Sequence, residues 1–288
     1  MTINYALANR LPDPDYARGY WGAGSPVVAV PGDAAAPSTA DVGPGWATVQ
    51  LQSDEKYLVN RTNSQRVIAR AVAGQKWLIS IKYNPMTYEE FAPVYGFLAQ
   101  QRGPLTPFYV SLPQYRNPIN SGWASLISET ATINGSLSYK YNFSVTADIS
   151  AGSSKVIVHV NEATGASTAA YNNKTGGAHV GMVPKPGDMI NINDTNDTNH
   201  DKAYLITMVE TTGAKEDSST DLETGGEGDK IQLTVTPPFV RPISTSNSGA
   251  SVVFKNPLVK VIAPRGLGSY SLNTDNLYSY SLKLEEHL

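Results

Sequence analysis

The 288-residue chain contains no cysteine. This excludes disulfide bridges, zinc–thiolate sites and cysteine nucleophiles together, and leaves either redox compartment open. Histidine is nearly as scarce. The four, His159, His179, His200 and His287, are far apart and share no H-x-x-x-H or H-E-x-x-H spacing, so no zinc site is expected. Charged residues make up only 16% of the chain, and 22 Lys and Arg against 25 Asp and Glu leave a net charge of −3. The cations read as scattered rather than clustered, which argues against general nucleic-acid binding. No run approaches the roughly 20 apolar residues of a membrane-spanning helix. The start, MTINYALANRLPDPDY, lacks the basic and apolar regions of a signal peptide, so a soluble chain not exported by that route is expected. There is also no G-x-S-x-G, no P-loop and no G-x-G-x-x-G after a strand, so neither nucleophilic hydrolysis nor nucleotide binding has a motif behind it. No catalytic residue, metal ligand or cofactor is assigned, and an enzyme is not expected.

The chain is instead rich in turn formers and short apolar alternations. Residues 1–45 hold Pro12, Pro14, Pro26, Pro31, Pro37 and Pro44 with glycines between them, a composition that forbids a long regular element. This segment reads as an extended arm. Its aromatics Tyr5, Tyr16, Tyr20 and Trp21 are too many for a solvated linker, and mark it as a candidate interface that docks on its own domain or on a neighbour.

From Trp46 the pattern is strand-like: WATVQL, then QRVIARAV, then QKWLISIKY. In the last, Trp77, Ile79, Ile81 and Tyr83 share one face by period-2 alternation, opposite Lys76, Ser80 and Lys82. Next comes the one convincing helix, expected over 87–102. Thr87 and Glu90 form a T-x-x-E capping box, Met86 and Phe91 have the spacing of a hydrophobic staple, and Gly103-Pro104 supplies the stop. Tyr88, Phe91, Tyr95 and Leu98 trace its expected packing face against the sheet that contains Trp77, Ile79 and Ile81. Pro93 and Gly96 lie inside it and should bend it or loosen its first turn. Glu89 and Glu90 complement the positive end of the helix dipole, which is a structural role.

Near Val145 the chain turns Thr-, Asn-, Asp- and Gly-rich, with strands at KVIVHV, DMININ, AYLITMVE and KIQLTVTPPF. In the last, Ile231, Leu233 and Val235 alternate with Gln232, Thr234 and Thr236. The fold class is therefore mainly β. A β-barrel or sandwich domain with one packed helix occupies 46–144 and 256–288, and a small antiparallel β-barrel over 145–255 is inserted into it. Tyr278, Tyr280, Leu282 and Leu284 alternate in a final strand that should pair back onto the first sheet and close it.

Two polar segments invite a site. In DTNDTNHD, 194–201, oxygen ligands at alternate positions would be Asp194, Asn196 and Thr198. The loop lacks the glycine and the bidentate glutamate of a calcium loop, so a hairpin loop with side-chain to backbone bonds is expected. The acidic, glycine-rich KEDSSTDLETGGEGD, 215–229, is expected to be a mobile solvated loop.

A strand ending in an aromatic, a capped helix of the form Y-x-x-F-x-x-x-Y-x-F-L, then QRG and PFYVSLP, resembles the core of bacteriophage tail proteins. The group it is most similar to is the distal tail and baseplate proteins that organise the tail tip. KPGDMININ, AYLITMVE, KIQLTVTPPFVRPIS and GASVVFKNPLVKV extend the resemblance, which runs from Trp77 to Val261 and is of pattern rather than strict motif. The arm and the loop 211–229 lie outside it. The resemblance implies a virion protein assembled in the host cytoplasm, whose single helix packs on a barrel and whose partners are copies of itself and other tail or baseplate proteins. It implies no catalytic residues and no cofactor. Exposed aromatics and polar loops leave a second class open, a carbohydrate-binding or adhesin-like β protein.

Overall fold

The computed structural model describes residues 9–13, 44–133, 136–163, 171–173, 177–197, 199–211, 229–246 and 249–287. The chain is mainly β and divides into two units. Among the described residues, a sheet unit comprises the chain up to Val110 and from Lys260 on, and a barrel unit comprises Ser111–Val259.

The sheet unit is built on β1 (Trp46–Arg61) and β2 (Val67–Tyr83), a long antiparallel hairpin in register from Trp46↔Tyr83 to Arg61↔Val67. The two sequence stretches QRVIARAV and QKWLISIKY are thus one strand. They are joined through Gly74, whose φ of 108° is open to glycine at little cost. Here the register jumps from Asp54↔Lys76 to Lys56↔Val72, a bulge that accommodates the extra residues of β2. The expected alternation holds: Trp77, Ile79, Ile81 and Tyr83 are buried, while Lys82 is exposed.

The final strand β14 (Tyr278–Glu286) pairs with β2 from Ser281↔Lys82 to Glu285↔Leu78 and buries Tyr280, Leu282 and Leu284. It does not close the sheet. β14 lies between β2 and β12 (Leu258–Ile262), β3 (Phe108–Ser111) follows β12, and among the described residues the order β1-β2-β14-β12-β3 leaves β1 at an open edge. A short β13 (Tyr270–Leu272) pairs with the start of β14.

The helix α1 (Tyr88–Gln101) starts at Thr87, where the Glu90 carboxylate accepts the Thr87 N–H at 2.8 Å and the Thr87 hydroxyl at 3.1 Å. It continues through Pro93 and ends on two left-handed residues, Arg102 (φ 55°) and Gly103 (φ 68°). Gly103 also lies against the backbone: a Cβ there would meet Gly266 Cα at 3.2 Å. The buried side of α1 is Phe91, Val94, Phe97, Leu98 and Gln101. This corrects the expected packing face. Phe91 and Leu98 belong to it, but Tyr95 is half-buried and Tyr88 is 66% exposed. The stripe traced from 88, 91, 95 and 98 omits Val94 and Phe97, which turn the buried side away from Tyr88. The helix meets β14 and β3 through rings: Phe91 stacks on Tyr278 at 4.6 Å and Phe97 meets Phe108 edge-on at 5.2 Å.

In the barrel unit β6 (Tyr141–Val145), β7 (Lys155–Glu162), β8 (Met189–Asp194), β9 (Ala203–Thr211), β10 (Lys230–Thr236) and β11 (Ala250–Val253) close a six-stranded antiparallel barrel in the order β10-β7-β6-β11-β8-β9. Ile231, Leu233 and Val235 point inward with Val156, Val158, Ile190, Ile192 and Ile206. The sequence border at 145 therefore falls too late. β6 is a barrel strand, in register with β7 through Phe143↔Val160, and the barrel cannot close without it. Upstream, a second helix α2 (Ser121–Leu126), capped by the Asn120 side chain accepting Gly122 N–H at 3.1 Å, and the hairpin of β4 (Thr130–Ile133) and β5 (Ser136–Tyr139) also lie in this unit. Instead of one helix there are two α-helices among the described residues. α2 brings the fully buried Trp123 to within 5.2 Å of Phe143 and 5.1 Å of Phe254, both edge-on. The Gly-Asp turn before β8 has a plain cause: Gly187 takes φ 100°, and buried Asp188 accepts the amides of Ile119 and Lys185, each at 2.8 Å.

Candidate assembly surface

Beyond Lys76 the hairpin leaves the sheet. β14 pairs with β2 over 78–82, and distally β1 and β2 pair with each other, through six pairs from Lys56↔Val72 to Arg61↔Val67, a ribbon of about 20 Å. Its tip is a tight turn: Gln65 N–H donates to Thr62 O at 2.9 Å with Gln65 at φ 65°, and Thr62 N–H donates to Arg66 O at 3.0 Å. An isolated two-stranded ribbon is marginal in water.

The side chains on this ribbon carry the functional signal. Tyr57, Leu58 and Val59 are 56%, 64% and 62% exposed, and Val67 and Ile68 are 51% and 56% exposed. Three apolar residues in a row put apolar groups on both faces, the pattern of a strand covered on both sides. Period-2 geometry sets Tyr57, Val59 and Val67 on one face and Leu58 and Ile68 on the other. Between them stand Lys56, Arg61, Arg66 and Arg70, with no acidic residue from 56 to 70. This corrects the reading of scattered cations: four of them share one ribbon. The stretch KYLVNRTNSQRVIAR carried this signal in plain view, but alternation alone does not separate a projecting ribbon from a buried hairpin.

A second exposed apolar area lies on the same unit, where α1 begins. Tyr88 stands 6.1 Å from Tyr278, Tyr270 is 5.7 Å from both Tyr278 and Tyr95, and Leu272 faces Tyr278 across the β13–β14 pair. Tyr270 and Leu272 are about half exposed, and Glu89, Glu90 and Asp275 at its margin are exposed. Beneath it, burial and then the nearby Tyr95 push the Tyr280 phenol up to about 12, and its hydroxyl donates to Leu267 O. The phenol is a support for the patch and not a proton donor near neutrality.

The other sequence-derived candidates fall elsewhere. Tyr5, Tyr16, Tyr20 and Trp21 lie outside the described residues, as does the acidic loop up to 228. The described piece of the arm, 9–13, packs on its own chain: Arg10 bridges Tyr109 in parallel, Leu11 N–H donates to Tyr109 O at 2.9 Å, and Arg10 pairs with buried Asp13 at 2.6 Å. In 194–201 Thr198 lies outside the described residues, and Asp194 and Asp197 are engaged. Asp194 accepts the amides of Asn196 at 2.8 Å and Ser244 at 3.3 Å, and Asp197 accepts that of Asn199 at 3.0 Å and pairs with Arg241 at 2.9 Å. That is hairpin-loop chemistry. Among the described residues no three His, Asp or Glu side chains gather as a metal site, and no helix is long and apolar enough to cross a membrane. No protein-family model and no curated protein matches the chain.

Proposed function

We propose that the chain is a structural component of a bacteriophage virion tail, at the tail tip or baseplate, that acts by subunit assembly around or beside the tail tube and has no catalytic activity. The observation that supports this reading best is the ribbon: a two-stranded element with large apolar side chains exposed on both faces gains its stability from a partner that encloses it. The resemblance to tail proteins from Trp77 to Val261 points to copies of the chain and other tail or baseplate proteins as its partners, and to virions assembled in the host cytoplasm as its location. The arm with Tyr5, Tyr16, Tyr20 and Trp21 is a second contact in this reading, beyond the segment 9–13 that packs on its own unit. Immunogold labelling of phage particles whose genome encodes the chain tests the reading. Label at the tail end is expected, and unlabelled tails with the chain left free in the lysate refute it.

The exposed rings of Tyr88 and Tyr270 favour one alternative, a carbohydrate-binding or adhesin-like protein of host attachment, since sugars stack on such rings. Glycan-array binding that Tyr88→Ala abolishes would establish that reading in its place.

A further inference from the structure

We infer that the ribbon of one copy docks on the aromatic patch of a second copy, head to tail. The inference rests on the assembly reading and names the two surfaces that meet.

The ribbon presents Tyr57, Val59 and Val67 on one face and Leu58 and Ile68 on the other, studded with four cations and no acid. The patch presents Tyr88, Tyr270 and Leu272, bordered by Glu89, Glu90 and Asp275. Apolar area meets apolar area, guanidinium groups meet tyrosine faces and carboxylates, and such contacts are the anchors of protein interfaces. Charge favours a copy of the same chain over an unrelated cationic or neutral surface. A net charge of −3 with four cations on the ribbon leaves −7 on the rest, so any copy attracts another copy's ribbon. These side chains are exposed on the copy that carries them, so the ribbon does not cover its own patch. Ribbon and patch are different surfaces, each present once per chain. Their contact is therefore heterologous, and repeats until it closes in a ring or extends as a filament. The bulge at Gly74, where a Cβ would meet no atom within 4 Å, is where the ribbon's angle to the sheet is set, and hence where the geometry of closure is set.

Complementation between two variants of the full chain tests this. The ribbon variant carries Tyr57→Glu and Val59→Glu, and the patch variant carries Tyr88→Glu and Leu272→Glu. All four positions are exposed, and circular dichroism should show both variants folded as the unaltered chain is. In sedimentation velocity up to about 100 μM, a range that captures weak specific contacts, the unaltered chain should form closed or extended oligomers. Each variant alone should associate at least about tenfold more weakly, as loss of interface anchors demands. An equimolar mixture of the two should form dimers and stop there, because one intact ribbon and one intact patch remain. Three results overturn the inference: full association by the patch variant, which means ribbon pairs with ribbon; no self-association by the unaltered chain; or duplex DNA binding that Arg61→Glu abolishes in a chain that stays monomeric. Immunogold labelling of tails is unaffected by any of these, so the assembly reading stands or falls separately.

Discussion

Phe91→Ala should uncouple α1 from the sheet unit, and the size of the effect follows from what surrounds the ring. Phe91 is buried and lies within 4.6 Å of Tyr278, 5.0 Å of Tyr270, 5.2 Å of Tyr95 and 5.9 Å of Tyr280, centroid to centroid. Removing it leaves a cavity lined by four rings, two of which, Tyr95 and Tyr270, are only half-buried and can relax inward, so the cost falls within the about 3 to 5 kcal/mol typical of Phe→Ala in a core. With a urea dependence of about 2 kcal/mol per molar, a loss of about 4 kcal/mol lowers the midpoint by about 2 M. The two units need not unfold together. The readout should therefore be local, by hydrogen exchange of peptides from Tyr88–Gln101 across a urea series. Tyr88→Ala, on the same helix but 66% exposed, should cost no more than about 0.5 kcal/mol and so move the same midpoint by no more than about 0.25 M. An unchanged midpoint for Phe91→Ala, or equal losses for the two variants, would refute the packing described for α1.

Three further outcomes are expected. His200 is buried with Nε2 2.8 Å from the Tyr204 hydroxyl, and desolvation lowers its pKa below the ordinary 6.5, outweighing the pull of Asp197, Asp194 and Asp201. The unfolded chain therefore binds the proton more readily, and the barrel unit should lose stability as pH falls below 6.5, by at most about 1.4 kcal/mol per pH unit. His200→Gln should flatten that dependence in urea titrations at several pH values. Gly103→Ala places a Cβ at a φ of 68° and 3.2 Å from Gly266 Cα, and should cost about 1 to 3 kcal/mol in thermal unfolding. A chain in which Val110 is joined to Lys260 by a short glycine linker should give a dispersed amide spectrum, because the division falls at those residues. Aggregation of that chain would show that the sheet unit depends on the barrel. Joining Phe143 to Lys255 instead would leave α2, β4, β5 and part of β6 without a barrel.

Local physics made much of this fold readable. Alternation placed Trp77, Ile79 and Ile81 on one buried face, and Ile231, Leu233 and Val235 inside the barrel. The capping box at Thr87 and the glycine after Arg102 bounded α1 to within a residue. These signals are carried by neighbours in sequence, and they act wherever the chain is. The second helix was not readable, since six residues with Ser, Gly and Ala form no apolar stripe. The arm's bridge from Arg10 to Tyr109 was not readable either, because its partner strand lies nearly a hundred residues away.

The sequence by itself determined which residues share a face, where α1 starts and stops, that the chain is mainly β, and that a barrel follows the first strands. Tertiary structure alone decided which faces are covered. Tyr57, Leu58 and Val59 have the pattern of a strand covered on both sides, yet they stand exposed, beyond the part of the hairpin where β14 pairs with β2, 78–82. Tyr88 reads as a core residue, yet Val94 and Phe97 take the buried side of α1 in its place. The barrel reaches back past 145 because closure needs β6, a requirement of six strands at once. Periodicity is a property of a few consecutive residues, whereas covering a face depends on register between distant strands. For that reason the candidate assembly surface emerged only when the strands were placed side by side.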